Sequence, residues 1–378
     1  MAGTLNVVSL TREFVSHNSS SLLSNVPVSK AIATWMKKAG LTVEHLTYRD
    51  QNGVAKVSLV GKKGSGTGGL ALLAHSDVVP AEGWNSDPFK LVKKNGRLYG
   101  RGSADMKGSI ACMLTAVANL STKDLKRPAY VITTADEEIT CGGALDVMKR
   151  SKTFRSSRIR YGVIGEPTLL DVVRAHKGMC RIYATTSGRA AHSSTGRGIN
   201  ANHKLIPFLS DMVGLIDEVK KDPAYRDTAF DPPDGTGNIV FSDGDSAANI
   251  TAPQSRAIIS WRRMPGQDWK PVLDRVKQLG KTHRVNLKIS ASLGPLSTPP
   301  DSRIIKEALR ITRKRTPKTV SYGTDGMAFA KKMELVVMGP GDIQQAHTTD
   351  EWIEEDQLYK GVNVFERMVR RFCVEDPE

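Results

Sequence analysis

Residues 21–40 place Leu22, Leu23, Val26, Val28, Ile32, Trp35 and Met36 ahead of Gly40, the spacing of one apolar helical face closed by a glycine stop. Two strand-like segments follow, 54–61 and 69–74. The second, GLALLA, is an unbroken apolar run of the kind found in a sheet covered on both faces. GSIACMLTAVANL over 108–120 predicts a helix of small and apolar residues. AYVITT over 129–134 predicts another buried strand, and YGVIG a further one ending at Gly165. Apolar strands alternating with helices make an α/β layer structure.

The pattern changes near residue 177. CRIYATTSG, GTGNIVFSDG and SRAIISWRRM alternate like half-exposed antiparallel strands, with helices near 200–220 and 268–280 between them. After about 290 the chain returns to a helix, a strand in ELVVMG, and a final helix from Glu354 to Phe372. The expected organisation is an α/β domain in two pieces, 1–177 and 291–378, interrupted by an inserted α+β domain over 178–290. A length of 378 residues exceeds what one core comfortably serves, which agrees with two domains.

Composition narrows the class. With 39% apolar and 25% charged residues, the chain has enough apolar side chain to offset ordering entropy, which excludes a mostly disordered protein. Cys112, Cys141, Cys180 and Cys373 form no CxxC pair, so neither a disulfide framework nor a thiolate zinc site is expected, and a reducing compartment fits. The opening MAGTLNVVSLTREF lacks a basic segment followed by a long apolar one, and no apolar run approaches the ~20 residues needed to span a bilayer. A cytoplasmic location without membrane association is the expectation.

Charge adds one question. Lys+Arg 54 against Asp+Glu 39 gives +15, with the densest run at 310–318, RITRKRTPK. That run closes a helical pattern beginning after Pro299-Pro300, where basic residues favour the helix dipole. No zinc-finger spacing, RNA-binding aromatic signature or basic-region heptad accompanies it, so no nucleic-acid partner is expected. Attraction of small anionic substrates is the better account of the excess.

Candidate chemistry sits just past the apolar strands. LLAHSDVV carries His75 and Asp77; YGRGSADMKGS carries Asp105; VITTADEEIT carries Asp136, Glu137 and Glu138; GVIGEPT carries Glu166. Singly, Asp105 could cap a helix, His75 could be a satisfied core histidine, and Glu137-Glu138 a solvated loop. Jointly they converge where open α/β sheets bind ligands, outside the carboxyl ends of the strands. Acidic segments meeting there repel one another unless a cation sits among them. Imidazole with carboxylates, and no thiolate, suits a hydrolytic zinc, cobalt or manganese site. Asp77 is placed to hydrogen-bond the ring nitrogen of His75 that does not bind metal.

The ordered set LLAHSDVVPAEGWNSDPF, GRLYGRGSADMKG, TADEE, GEPT, VRAHKG, TSGRAAHSS, WRRMPG and GPGDIQQAHTTDEWI resembles the M20 metallohydrolases, which include acetylornithine deacetylase, succinyl-diaminopimelate desuccinylase and glutamate carboxypeptidase. The resemblance implies a mixed-sheet catalytic domain with an inserted α+β dimerisation (lid) domain, a homodimer, and two divalent ions per subunit, zinc or cobalt. It gives His75 and Glu166 to one ion, Glu138 and His347 to the other, and Asp105 to both, with a cis peptide at Asp105-Met106. Glu137 would be the general base. His192 would reach the neighbouring subunit's site and bind the developing oxyanion, and Arg262 would clamp the substrate carboxylate, for which a planar guanidinium is suited. Asn249, Thr324 and Asp325 fall where the family places substrate contacts. His17, His45, His203 and His283 have no such context.

Within the family, GPGDIQQAHTTDEW, and GEPT followed by VRAHKG, resemble the acetylornithine deacetylase branch, while SDGDSAANITAP departs from the usual run around Asn249. The implied reaction is hydrolysis of an N-acyl-L-amino acid, with N2-acetylornithine giving ornithine and acetate. Succinyl-diaminopimelate desuccinylation and dipeptide or carboxypeptidase cleavage are the alternatives, because one metal site serves many amides. A non-catalytic metal- or peptide-binding homologue is the alternative of another class. It need not keep a free carboxylate at Glu137, and this chain does.

Overall fold

The apolar runs become neighbouring strands of one large mixed sheet. In spatial order it runs Thr42–Arg49, Ala55–Lys63, Ala129–Thr134, Leu70–His75, Tyr161–Pro167 and Glu334–Gly339. The first three pair antiparallel. From Ala129–Thr134 to Glu334–Gly339 all pairs are parallel, with His75 opposite Thr134 and Gly339 opposite Pro167. Both faces of these parallel strands are covered, which is why LALLAH and AYVITT are buried at every position. Their carboxyl ends therefore lie along one edge. The structure, a computed structural model, describes residues 5–290 and 293–375.

The chain divides into two units, Met1–Ala175 with Ser297–Lys318 and Thr324–Glu378, and His176–Leu296 with Thr319–Gly323. The divisions fall after Ala175 and Leu296, where the sequence pattern places them after 177 and 290. In the first unit the helix Lys107–Ala118 is buried at every position before Ala118, as its small residues allow, and packs with Val7–Val15 and Glu355–Val369. One element starts later than expected: the first apolar pattern becomes a helix only at Val26. Leu22 and Leu23 precede it and are 61% and 48% exposed. The physical reason is Asn25, whose side chain donates to Val57 O and accepts from Val57 N, both at 2.8 Å, tying the chain to the sheet just before Pro27.

The second unit is a four-stranded antiparallel sheet in the order Gly237–Ser242, Gln254–Arg263, Gly178–Ser187, Asn286–Ile289. Helices Asn202–Lys221 and Lys270–Thr282 supply Phe208, Met212, Leu215 and Val276 to a core centred on Trp261 and Trp269. Strand Gly237–Ser242 is an edge strand, and its Val240 and Phe241 are 59% and 67% exposed. Ile206 and Val213 are also exposed, two turns apart on one face of Asn202–Lys221.

The basic run at 310–318 ends the helix Arg303–Thr312. Arg310 pairs with Glu307 at 2.8 Å, and Lys314 and Lys318 both pair with Asp171. No helix among the described residues is long and apolar enough to cross a membrane.

Candidate metal centre

Parallel strands deliver their side chains to a common edge. His75 ends Leu70–His75, Glu137 and Glu138 follow Ala129–Thr134, and Glu166 lies at the end of Tyr161–Pro167. Asp105 precedes the buried helix, behind a cis Asp105-Met106 peptide. Two glycines permit the close approach. A Cβ on Gly143 would meet Ala135 N and O at 2.5 Å, beneath the turn that carries Glu137. One on Gly339 would meet Gly165 O at 2.2 Å, beside Glu166.

The predicted ligands meet in two trios that share Asp105. His75, Asp105 and Glu166 place ligand atoms within 4.8 Å of one another, as do Asp105, Glu138 and His347. The Asp105 carboxylate is divided between them, Oδ1 lying 3.1 Å from His75 Nε2 and Oδ2 3.4 Å from His347 Nε2. His347 Nε2 is also 3.1 Å from Glu138 Oε2. His75, Asp105 and Glu166 are buried, whereas the His347 side chain is 57% exposed, so this trio is open to solvent on one side.

His75 corrects one expectation. Its Nδ1 donates to the main-chain carbonyl of Asp77 at 2.9 Å, while the Asp77 carboxylate is 3.8 Å away. A carbonyl can only accept, so Nδ1 carries the proton and Nε2 is left to face Asp105 and Glu166. The Asp77 carboxylate has turned to other donors: it accepts from Glu137 N, Glu138 N and Ser21 Oγ at 3.2, 3.3 and 3.2 Å. It therefore holds the acidic turn, and the ring is fixed by backbone.

Electrostatics set the turn apart from an ordinary acidic loop. Burial pushes the Glu137 carboxyl well above its usual range, and the Glu166 charge adds to this. Burial, then the Asp105 charge, does the same to Glu166, and burial raises Asp77 to about 6. Burial opposes protonation of His75, but the Asp105 bond and the Glu166 charge hold it well above 6.5. Hydrogen bonds to Asp105 and Glu138 raise His347 to about 10. Glu138 Oε1 is buried with no hydrogen-bond partner. Clustered carboxylates, imidazoles and an unsatisfied buried oxygen are the surroundings a divalent cation stabilises, and both trios fit one.

These shifts give a prediction. Two histidines held protonated by carboxylates must lose those protons before they can ligate. Metal-free protein titrated with zinc at pH 7 will release protons, read by calorimetry in buffers of different ionisation heat. A heat independent of buffer contradicts this. The His347 pKa is raised above its unfolded value, so its ion pairs stabilise the metal-free fold fully below about 6.5. That contribution is lost as pH rises through about 10.

The remaining predicted site residues separate. Thr324 and Asp325 are buried in the first unit. Asp325 accepts from the Thr134 hydroxyl and forms a third trio with Glu137 and Cys141, beside the acidic turn. In the second unit His192 and Asn249 are brought together on adjacent exposed backbone, with Ser193 N bonded to Asn249 O at 2.8 Å and His192 bridged to Ile250. His192 Nδ1 is 2.8 Å from Ser194 Oγ. Arg262 is half-buried at the end of Gln254–Arg263. His283, in the second unit, pairs with Asp211 at 2.7 Å.

Some supports had no sequence signal. Asp136 has φ +58°, and its carboxylate is held by Tyr48 Oη at 2.6 Å and by the buried Lys56 Nζ at 2.8 Å. A buried lysine or tyrosine on a strand reads as packing until its partner is seen. The charged type alone, at a position otherwise apolar, was the available clue.

The sequence profile of peptidase family M20/M25/M40 matches residues 71–371. A Myxococcus xanthus protein named acetylornithine deacetylase is 34% identical over 390 residues, covering 99% of each chain. The solved structure of an M20 family metallo-carboxypeptidase from Sulfolobus solfataricus superposes with a TM-score of 0.77 at 18% identity, covering 97% of this chain and 98% of that one. A dipeptidase from Saccharomyces cerevisiae gives 0.78 at 15% identity, covering 98% and 96%. The two structures share this fold.

Proposed function

The chain belongs to peptidase family M20/M25/M40 and is a metal-dependent amidohydrolase, and on that premise we propose that it cleaves the amide of a small N-acyl-L-amino acid, N2-acetylornithine foremost, to acetate and the free amine. The observation that carries the reading is the division of the Asp105 carboxylate between a trio with His75 and Glu166 and a trio with Glu138 and His347. The choice of substrate is supported by the name and full-length match of the 34% identical relative.

His75 and Glu166 would hold one divalent ion, Glu138 and His347 a second, and Asp105 both. Zinc or cobalt suits this donor set. Bound there, the ions supply Lewis acidity toward the scissile carbonyl and favour deprotonation of the attacking water. The protein's own work falls to Glu137. Its carboxylate takes a proton from water as the water oxygen bonds to the acyl carbon. It then returns that proton to the amine nitrogen as the C–N bond breaks. Asp77 and Asp136 keep the turn in place while Glu137 cycles between charged and neutral.

The second unit supplies recognition in this reading. Arg262 clamps the α-carboxylate, and His192 donates to the oxyanion in the partner subunit's site. The exposed Val240 and Phe241 on an edge strand, with Ile206 and Val213 on the neighbouring helix, support a two-fold dimer formed through this unit. The clamp predicts selectivity. Replacing the substrate's α-carboxylate by an amide will lower kcat/KM about tenfold or more in the wild type and change little in Arg262→Ala, the scale of one charge-assisted hydrogen bond. Equal cleavage of acid and amide by the wild type removes Arg262 from this role. The substrate itself is tested on zinc-loaded protein with acetylornithine, acetylmethionine, succinyl-diaminopimelate and dipeptides. Acetylornithine cleaved fastest is the expected result, and a dipeptide cleaved fastest would move the activity to the peptidase branch.

A further inference from the structure

Glu351 follows His347 in the same loop and is wholly buried. Its carboxylate is saturated. Oε1 accepts from Ala104 N at 2.8 Å and Asp105 N at 3.0 Å. Oε2 accepts from Gly102 N at 2.9 Å and Arg101 Nη1 at 2.8 Å. Three of these four donors are consecutive-segment backbone N–H groups, which a single carboxylate gathers into one turn. A buried charge persists only where donors meet it, and here both oxygens are met twice. Glu351 is thus the link between the segment that carries Asp105 and the segment that carries His347.

We propose that Glu351 is a positioning residue for the metal centre: by gripping the Asp105 backbone from the His347 loop, it keeps the Asp105 carboxylate divided between the two trios and so sets the affinity for divalent cations. The inference rests on the reading of Asp105 and His347 as ligands. Ligand distances in such sites tolerate only about 0.2 Å, so a carboxylate whose own main chain drifts loses one partner or the other. The Arg101 contact has a different part. It neutralises the buried charge, while the bond to Asp105 N holds the ligand.

That distinction makes the test. Metal-free wild type, Glu351→Gln, Glu351→Asp and Arg101→Gln are titrated with cobalt(II), well below the melting temperature of each. Affinity is read by chelator competition and coordination by visible absorption, with thermal stability measured separately. Glu351→Gln turns an amide NH2 toward backbone donors, and Glu351→Asp falls one methylene short, so both will bind cobalt about 10–100-fold more weakly with an altered spectrum. Arg101→Gln will lose stability but keep its affinity within about threefold, because the Asp105 N bond survives. Should Glu351→Gln not fold, Glu351→Asp carries the comparison. Wild-type affinity and spectrum in the folded Glu351 variants overturn the proposal. So does a loss of affinity in Arg101→Gln as large as theirs, which marks Glu351 as a stabilising residue only. A wild type that binds no cobalt instead overturns the ligand assignment itself, and this inference with it.

Discussion

Glu137→Gln will retain its metal and lose turnover by roughly 10²–10⁴-fold. The substitution preserves size and leaves the main-chain bond from residue 137 to Asp77 in place, because that bond uses the amide nitrogen. Glu137 belongs to neither histidine-containing trio, so metal content is expected to stay at the wild-type level. What disappears is the proton acceptor: a glutamine cannot take the proton of water or return it to the departing amine. Its neighbour gives the control. Glu138→Gln removes a charge facing His347, and that variant should lose metal as well as rate. Near-normal turnover in Glu137→Gln, at wild-type metal content, would remove Glu137 from the role of base.

The second large effect concerns His192. Removing an oxyanion donor costs about 10²–10³-fold in kcat, so His192→Ala should be nearly inactive. Its position on an exposed turn of the second unit, beside Asn249, is compatible with service to another subunit. In a two-fold dimer each subunit lends the same residue to the other. Co-expressing His192→Ala with Glu137→Gln then yields mixed dimers in which the His192→Ala subunit keeps its own Glu137 and borrows an intact His192. Random pairing makes about half the dimers mixed, each with one complete site, and about a quarter of wild-type activity returns. If His192 serves its own subunit, neither site in the mixed dimer is complete. No recovery, with mixed dimers verified by differential tagging and light scattering, would contradict the shared site.

The grouping of the candidate site was largely legible because its residues sit where pattern and chemistry coincide. His75, Glu138 and Glu166 each follow an apolar strand, and parallel pairing in register brings strand ends together without further information. The parts that were not legible depend on pairings distant in sequence. Tyr48 and Lys56 hold Asp136 from the two strands at one edge of the sheet, the inner of which neighbours Ala129–Thr134, and nothing in the local pattern connects them. Glu351 stands in the closing motif that also carries His347, but the motif does not show that its carboxylate meets Ala104 N and Asp105 N. Asp77 shows a finer limit. Spacing brought it to His75 but could not say whether carboxylate or carbonyl would meet the ring, a choice decided by the donors of the next strand's turn. The late start of the helix at Val26 is of the same kind, since Asn25 answers to Val57 rather than to its own apolar neighbours.

If a two-ion site built on Asp105 drives hydrolysis of an N-acyl amino acid, amine release from N2-acetylornithine will follow zinc as it is returned stepwise to chelator-stripped protein. The stripped protein will release none, and release will rise to saturate at about two equivalents of zinc per subunit. Undiminished release from stripped protein, or saturation at a single equivalent, would contradict the two-ion site.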